Sequence, residues 1–124
     1  MLSVLSALLH VASVDRVLLY LVAVVPASAV QPMNNQLQSE RQTIQLSCNV
    51  SGRPTPSMSW TKNGEEVVSS SRVIVHGNEL VIAQAAVSDS GIYQCWAENA
   101  AGRTTLTARV LVRLTGMPEC FIAG

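Results

Sequence analysis

Thr43-Ile44-Gln45-Leu46-Ser47-Cys48-Asn49-Val50 alternates strictly between apolar and polar side chains. Successive side chains of an extended chain point to opposite faces, so Ile44, Leu46, Cys48 and Val50 share one face. This pattern predicts a half-buried strand. Ser51-Gly52-Arg53-Pro54-Thr55-Pro56 then breaks it with a glycine and two prolines. From Ser57 to Lys62 the alternation resumes, with Met58 and Trp60 inward.

Further along, Asn63-Gly64 is the strongest two-residue hairpin signal, because a type I′ turn needs positive φ at both central positions. It predicts a return strand over Glu65 to Val68. After a Ser69-Ser70-Ser71 loop, Arg72 to Val75 and Leu80 to Ile82 read as a hairpin around His76-Gly77-Asn78. A last pair, Gly91 to Ala97 and Thr104 to Val112, is joined by Glu98-Asn99-Ala100-Ala101-Gly102. Helical periodicity is absent from this region. A single sheet of this size would leave an apolar face wet, so six or seven such strands predict an all-β sandwich of two packed sheets.

The N-terminus has a different character. From Met1 to Val30 the chain is dominated by Leu, Val and Ala, and Val17 to Val25 is nine consecutive apolar residues. That is short of the roughly 20 residues a spanning helix requires. Arg16 precedes the run, and Pro26 followed by Ala27-Ser28-Ala29 has the small-x-small form that a signal peptidase accepts. The expectation is a signal peptide over residues 1–29, a domain over 30–113 and a disordered tail over 114–124. A signal anchor and an ordinary buried strand or helix are the alternatives for the leader.

Of the 124 residues 8 are basic and 8 acidic, so the net charge is zero, and only 13% are charged. No basic field exists for nucleic-acid phosphates. Arg53, Lys62, Arg72, Arg103 and Arg109 are interspersed with Glu65, Glu66, Glu79 and Glu98, a mixed solvated surface. Catalytic chemistry is thin. His10 lies in the expected leader, and His76, in a turn, would be the sole base for a serine such as Ser70 or Ser71. Glu65 and Glu66 are adjacent on a strand and point to opposite faces, which excludes them as a carboxylate pair. No glycine-rich phosphate loop opens a helix and no metal-ligand cluster is present, so neither an enzyme nor a cofactor is expected. Three cysteines imply one pair and a leftover.

Cys48, Trp60 twelve positions on, and Asp89-Ser90-Gly91-Ile92-Tyr93-Gln94-Cys95 together resemble the immunoglobulin superfamily. Gly52-Arg53-Pro54-Thr55-Pro56, Lys62-Asn63-Gly64 and Ala97-Glu98-Asn99-Ala100-Ala101-Gly102 are similar to the I-set subclass, most of all to domains of neural adhesion and guidance receptors of the neogenin-like and Dscam-like kind. The resemblance covers about Gln31 to Val112. One stretch, Val30 to Gln36, departs from the usual apolar opening strand.

This resemblance implies an immunoglobulin-like Greek-key sandwich with a Cys48–Cys95 bridge, Trp60 packed on it, a tyrosine corner at Tyr93 and an Arg72–Asp89 pair. It implies a non-catalytic recognition or cell-adhesion module with a protein partner, homophilic or heterophilic. The chain would be a fragment or short form of a multidomain receptor, secreted or at the extracellular face of the plasma membrane, with a membrane anchor only in a longer form. A soluble decoy is the alternative, and an intracellular muscle-type structural module is disfavoured by the leader.

Three further residues stand out. Asn49-Val50-Ser51 is the chain's one N-glycosylation sequon, and Asn49, next to an inward cysteine, is expected to face solvent. Trp96, next to Cys95, is expected to point away from the core and is the interface candidate. Cys120 lies beyond the last strand, as a free thiol, an intermolecular bridge or a mark of truncation, the last being favoured.

Overall fold

The computed structural model describes residues 24–115. Residues 1–23 and 116–124, which hold most of the expected leader, most of the tail, His10 and Cys120, lie outside the described residues. Among the described residues ten strands form in chain order: β1 (Val25–Ala29), β2 (Gln36–Ser39), β3 (Ile44–Ser47), β4 (Val50–Arg53), β5 (Ser57–Lys62), β6 (Glu65–Glu66), β7 (Val73–His76), β8 (Glu79–Ile82), β9 (Gly91–Asn99) and β10 (Gly102–Arg113). A five-stranded sheet runs β2-β10-β9-β5-β6, and facing it are a three-stranded sheet β3-β8-β7 and the pair β1-β4. The chain crosses between the sheets after β6 and again after β8, the Greek-key path of a sandwich.

Alternation builds the core. Ile44 and Leu46 of β3 and Leu80 and Ile82 of β8 project from one sheet, while Trp60, Tyr93, Cys95, Leu106, Ala108, Val110 and Val112 project from the other, and all are buried. Asn63 and Gly64 have φ of 51° and 88°, which gives both left-handed positions of the hairpin joining β5 to β6. The return strand expected to reach Val68 stops at Glu66. Val67 donates a last backbone bond to Trp60, after which Val68 stands free in solvent at 72% exposure.

The strand expected over Thr43 to Val50 is split in two. Up to Ser47 it pairs with β8; from Val50 it pairs with β1. At the switch the Cys48 N–H donates to Asn78 O and Asn49 O accepts from Val30 N. Ser51 to Arg53, read as a breaker loop, therefore extend the sheet as β4.

β1 occupies the stretch that ends at the expected leader boundary. Ala27 at its centre is 5% exposed. The carbonyl of Val25 accepts from Asn99 Nδ2 at 2.8 Å, and Pro26 lies against Gly102 so closely that a Cβ there would stand 3.1 Å from it. A cut after Ala29 would remove this strand and leave the β4 backbone groups unpaired. A protein starting at Val30 is expected to lose about 2 kcal/mol relative to one starting at Val24, the worth of a few net hydrogen bonds. Urea unfolding of the two proteins checks this, and equal midpoints would show that β1 adds nothing.

Candidate recognition surface

The strand β9 is central in its sheet, and its alternation sets out both the framework and the exposed face. Its inward residues are Tyr93, Cys95 and Ala97. Cys95 is bonded to Cys48 across the sandwich, 47 residues away in sequence, and both are fully buried. Trp60 lies opposite Cys95 in the β5–β9 register, is 1% exposed, and donates from Nε1 to Gly77 O at 3.3 Å. One indole thus ties the five-stranded sheet to the turn between β7 and β8.

Below β9 the chain makes a single 3-10 turn, Val87–Asp89. Tyr93 Oη donates to the Asp89 carbonyl at 2.7 Å. Burial of that hydroxyl pushes the Tyr93 pKa up to about 12, with the Asp89 charge adding to the rise and Arg72 opposing it. The Asp89 carboxylate accepts from both Arg72 Nη1 (2.7 Å) and Nη2 (3.0 Å), and also from the Ala86 N–H at 2.7 Å. Desolvation alone would raise the Asp89 pKa. The Arg72 hydrogen bond, the Ala86 N–H and the charges of Arg72 and Lys62 outweigh it and hold the carboxyl below the usual value.

A depressed folded-state pKa means stability that is present above the unfolded value near 4 and lost as pH falls through the folded value. Unfolding midpoints should therefore fall on acidification below about pH 4. Arg72 is 37% exposed at its side chain, so solvent screens the pair. We expect Asp89→Asn to cost about 1–2 kcal/mol at pH 7 rather than the larger figure of a fully buried pair, and to flatten the acid limb. A variant with an unaltered acid limb would show that Asp89 is not responsible for it.

The outward residues of β9 are Ile92, Gln94, Trp96 and Glu98. Trp96 is half-buried and sits between Thr105 of β10 and Ser59 of β5 in the registers. Its Nε1 donates to Thr61 Oγ1 at 3.0 Å. The cross-strand neighbours on either side, Ser59 and Thr105, carry short hydroxyl side chains. Farther along the same face Ile92 is 40% exposed, and Leu37 of β2, also half-exposed, lies beside Leu111. Glu98 and Arg103 are cross-strand neighbours of opposite charge. An aromatic centre within a polar, mixed-charge surround is the composition of a protein-binding patch.

A second feature lies where β1 and β4 meet the turn between β7 and β8. A hollow of about 560 Å³ is lined by Val30, Cys48, Asn49, Val50, Thr55, Pro56, Met58, Gly77 and Asn78. Sequence reasoning missed it, as it missed the role of Asn99. That residue accepts from the Ala101 and Gly102 N–H groups (3.0 and 3.1 Å) and donates to Val25 O and Pro54 O (2.8 and 3.0 Å). An Asn opening a tight turn is a recognisable Asx-turn signal. Its reach to β1 and the proline loop has no local signature.

Among the described residues no group of three His, Cys, Asp or Glu side chains converges as a metal site. Among them also, no helix is long and apolar enough to cross a membrane. Two sheets stapled by a buried disulfide, with a tryptophan on the bridge and a tyrosine corner, define an immunoglobulin-like sandwich. A model of the immunoglobulin I-set domain matches residues 27–112, and the chain belongs to that family.

Its relatives narrow the class. The human netrin receptor DCC is 37% identical over 100 residues, 80% of this chain and 7% of that protein. Human protogenin is 36% identical over 92 residues, 74% of this chain and 8% of that protein. The chain thus spans less than a tenth of the length of these curated relatives. Among solved structures, a chimeric titin Z1Z2 functionalised with a KLER exogenous peptide from decorin is similar at a TM-score of 0.68 and 32% identity, over 74% of this chain and 99% of that one.

Proposed function

We propose that this chain is a non-catalytic extracellular recognition and adhesion module, of the kind carried by neural adhesion and guidance receptors, which holds a protein partner on the outer face of its five-stranded sheet. The observation that carries this reading is Trp96, half-buried on an open sheet face rather than in the core. Removing a large amphipathic ring from water favours binding without cost to the fold. Its likeness to a netrin receptor supports a recognition role. Whether the chain works as part of a longer receptor or as a soluble decoy is decided by where the full chain is found in expressing cells.

Trp96→Ala in the purified disulfide-bonded domain should keep the fold, with a thermal midpoint lower by about 5 °C for the lost Thr61 bond and part of the ring's packing, and weaken binding at least about tenfold, the effect of losing a hot-spot tryptophan. Sedimentation velocity reads a homophilic contact and capture on partner-bearing cells a heterophilic one. Full binding by a folded variant would remove this face from consideration. The titin likeness favours a second reading, a structural module. In a reducing compartment Cys48 and Cys95 would carry free thiols. Thiol labelling of the protein taken directly from cells separates the two readings.

A further inference from the structure

The sequon and the apolar hollow meet at one residue. Asn49 lies at the break between β3 and β4, half-exposed, and is one of the residues that line the hollow. Its backbone carbonyl is held by Val30 N, whereas its carboxamide makes no hydrogen bond to the described residues. Two positions on, the Ser51 hydroxyl is exposed, 3.4 Å from Ser28 Oγ. The lining is apolar for the most part, with Val50, Pro56, Met58 and a Val30 that is 63% exposed beside the polar Thr55 and Asn78. A concavity of this volume lies in the range that holds small ligands, and unoccupied it is an apolar surface facing water.

We propose that Asn49 carries an N-linked glycan whose first sugar roofs this hollow. The inference rests on the extracellular reading, because the donor is a lipid pyrophosphate-linked oligosaccharide of the secretory pathway. In the transfer a bond forms between Asn49 Nδ2 and C1 of the first N-acetylglucosamine. The C1–O bond to the pyrophosphate breaks, the lipid pyrophosphate leaves, and the amide nitrogen gives up one proton. The sugar's C–H face and acetyl methyl then cover Val50 and Met58, while its hydroxyls face solvent. The occupant is specified by its attachment: a group anchored on the rim is already at the hollow.

The test uses the full chain expressed in human secretory cells, with peptide mass spectrometry at residue 49 before and after peptide-N-glycosidase treatment in heavy-oxygen water. The expected result is a glycan mass lost on treatment, with heavy-labelled aspartate at position 49. Asn49→Gln and Ser51→Ala should abolish the glycan, and Ser51→Thr should keep it. Fluorescence of an apolar dye on the native glycoprotein should stay low after trimming to a single N-acetylglucosamine and rise once that sugar is removed. Protein recovered from the medium with Asn49 unmodified overturns the site and leaves the extracellular reading standing. A chain confined to the cytosol with reduced cysteines overturns both. A glycan whose complete removal leaves dye binding unchanged overturns the roof.

Discussion

Replacing Cys48 and Cys95 together by alanine is expected to lower the unfolding free energy by about 4 kcal/mol. The bridge closes a loop over a sequence separation of 47 residues, and opening it returns that conformational freedom to the unfolded chain. Both half-cystines are fully buried, so small replacements leave little polar disturbance and the loss is mainly one of chain entropy. A small domain has a net stability of about 5–15 kcal/mol, so the variant stands close to the unfolding threshold at body temperature. At roughly 4–8 °C per kcal/mol, the thermal midpoint should fall by about 20 °C. Circular dichroism of the variant, and of the parent domain with and without reductant, measures this. A fall of less than about 5 °C would show that sheet packing by itself specifies the fold.

Trp60→Ala should cost a comparable amount, about 3–5 kcal/mol. The indole is 1% exposed and lies opposite Cys95, so its removal leaves a cavity at the centre of the sandwich that the rigid sheets cannot close. It also deprives the Gly77 carbonyl of its Nε1–H donor at 3.3 Å. Trp60→Phe keeps much of the volume and forfeits the bond, so about 1–2 kcal/mol is expected. The two sites touch, so their effects should not add. In a double-mutant cycle Trp60→Ala should cost less in the cysteine-free protein, because part of its packing partner is already gone. Urea titrations of the four proteins read the coupling, and strict additivity would mean that ring and bridge contribute independently.

Several elements were legible because their signals are local. Asn63-Gly64 announces its turn through a backbone requirement of two residues, and the apolar parity of Ile44, Leu46 and Cys48 sets which face is inward whatever the partner strand is. β9 and β10 run two residues or so past the expected ends, since the tight Asn99 turn lets the ladder continue to Gly102. Other elements were not legible, because their signals are ambiguous. Val25-Pro26-Ala27-Ser28-Ala29 suits a peptidase and an edge strand equally well, both wanting small side chains. That it pairs as a strand depends on the backbone of β4, more than twenty residues away.

By itself the sequence determined that the chain packs strands into a sandwich and set the inward parity of Cys48 and Cys95 and the outward parity of Trp96, because period-two alternation and turn chemistry act between neighbours along the chain; the pairing of the two cysteines came from the family resemblance. Tertiary structure decided where β3 hands over to β4, that β1 belongs to the sheet, that Asn99 ties three segments together, and that an apolar hollow lies beside Asn49. Each of these depends on which distant backbone supplies the hydrogen-bond partner. A chain segment carries its own donors and acceptors in its sequence, and the groups that satisfy them are set by the fold.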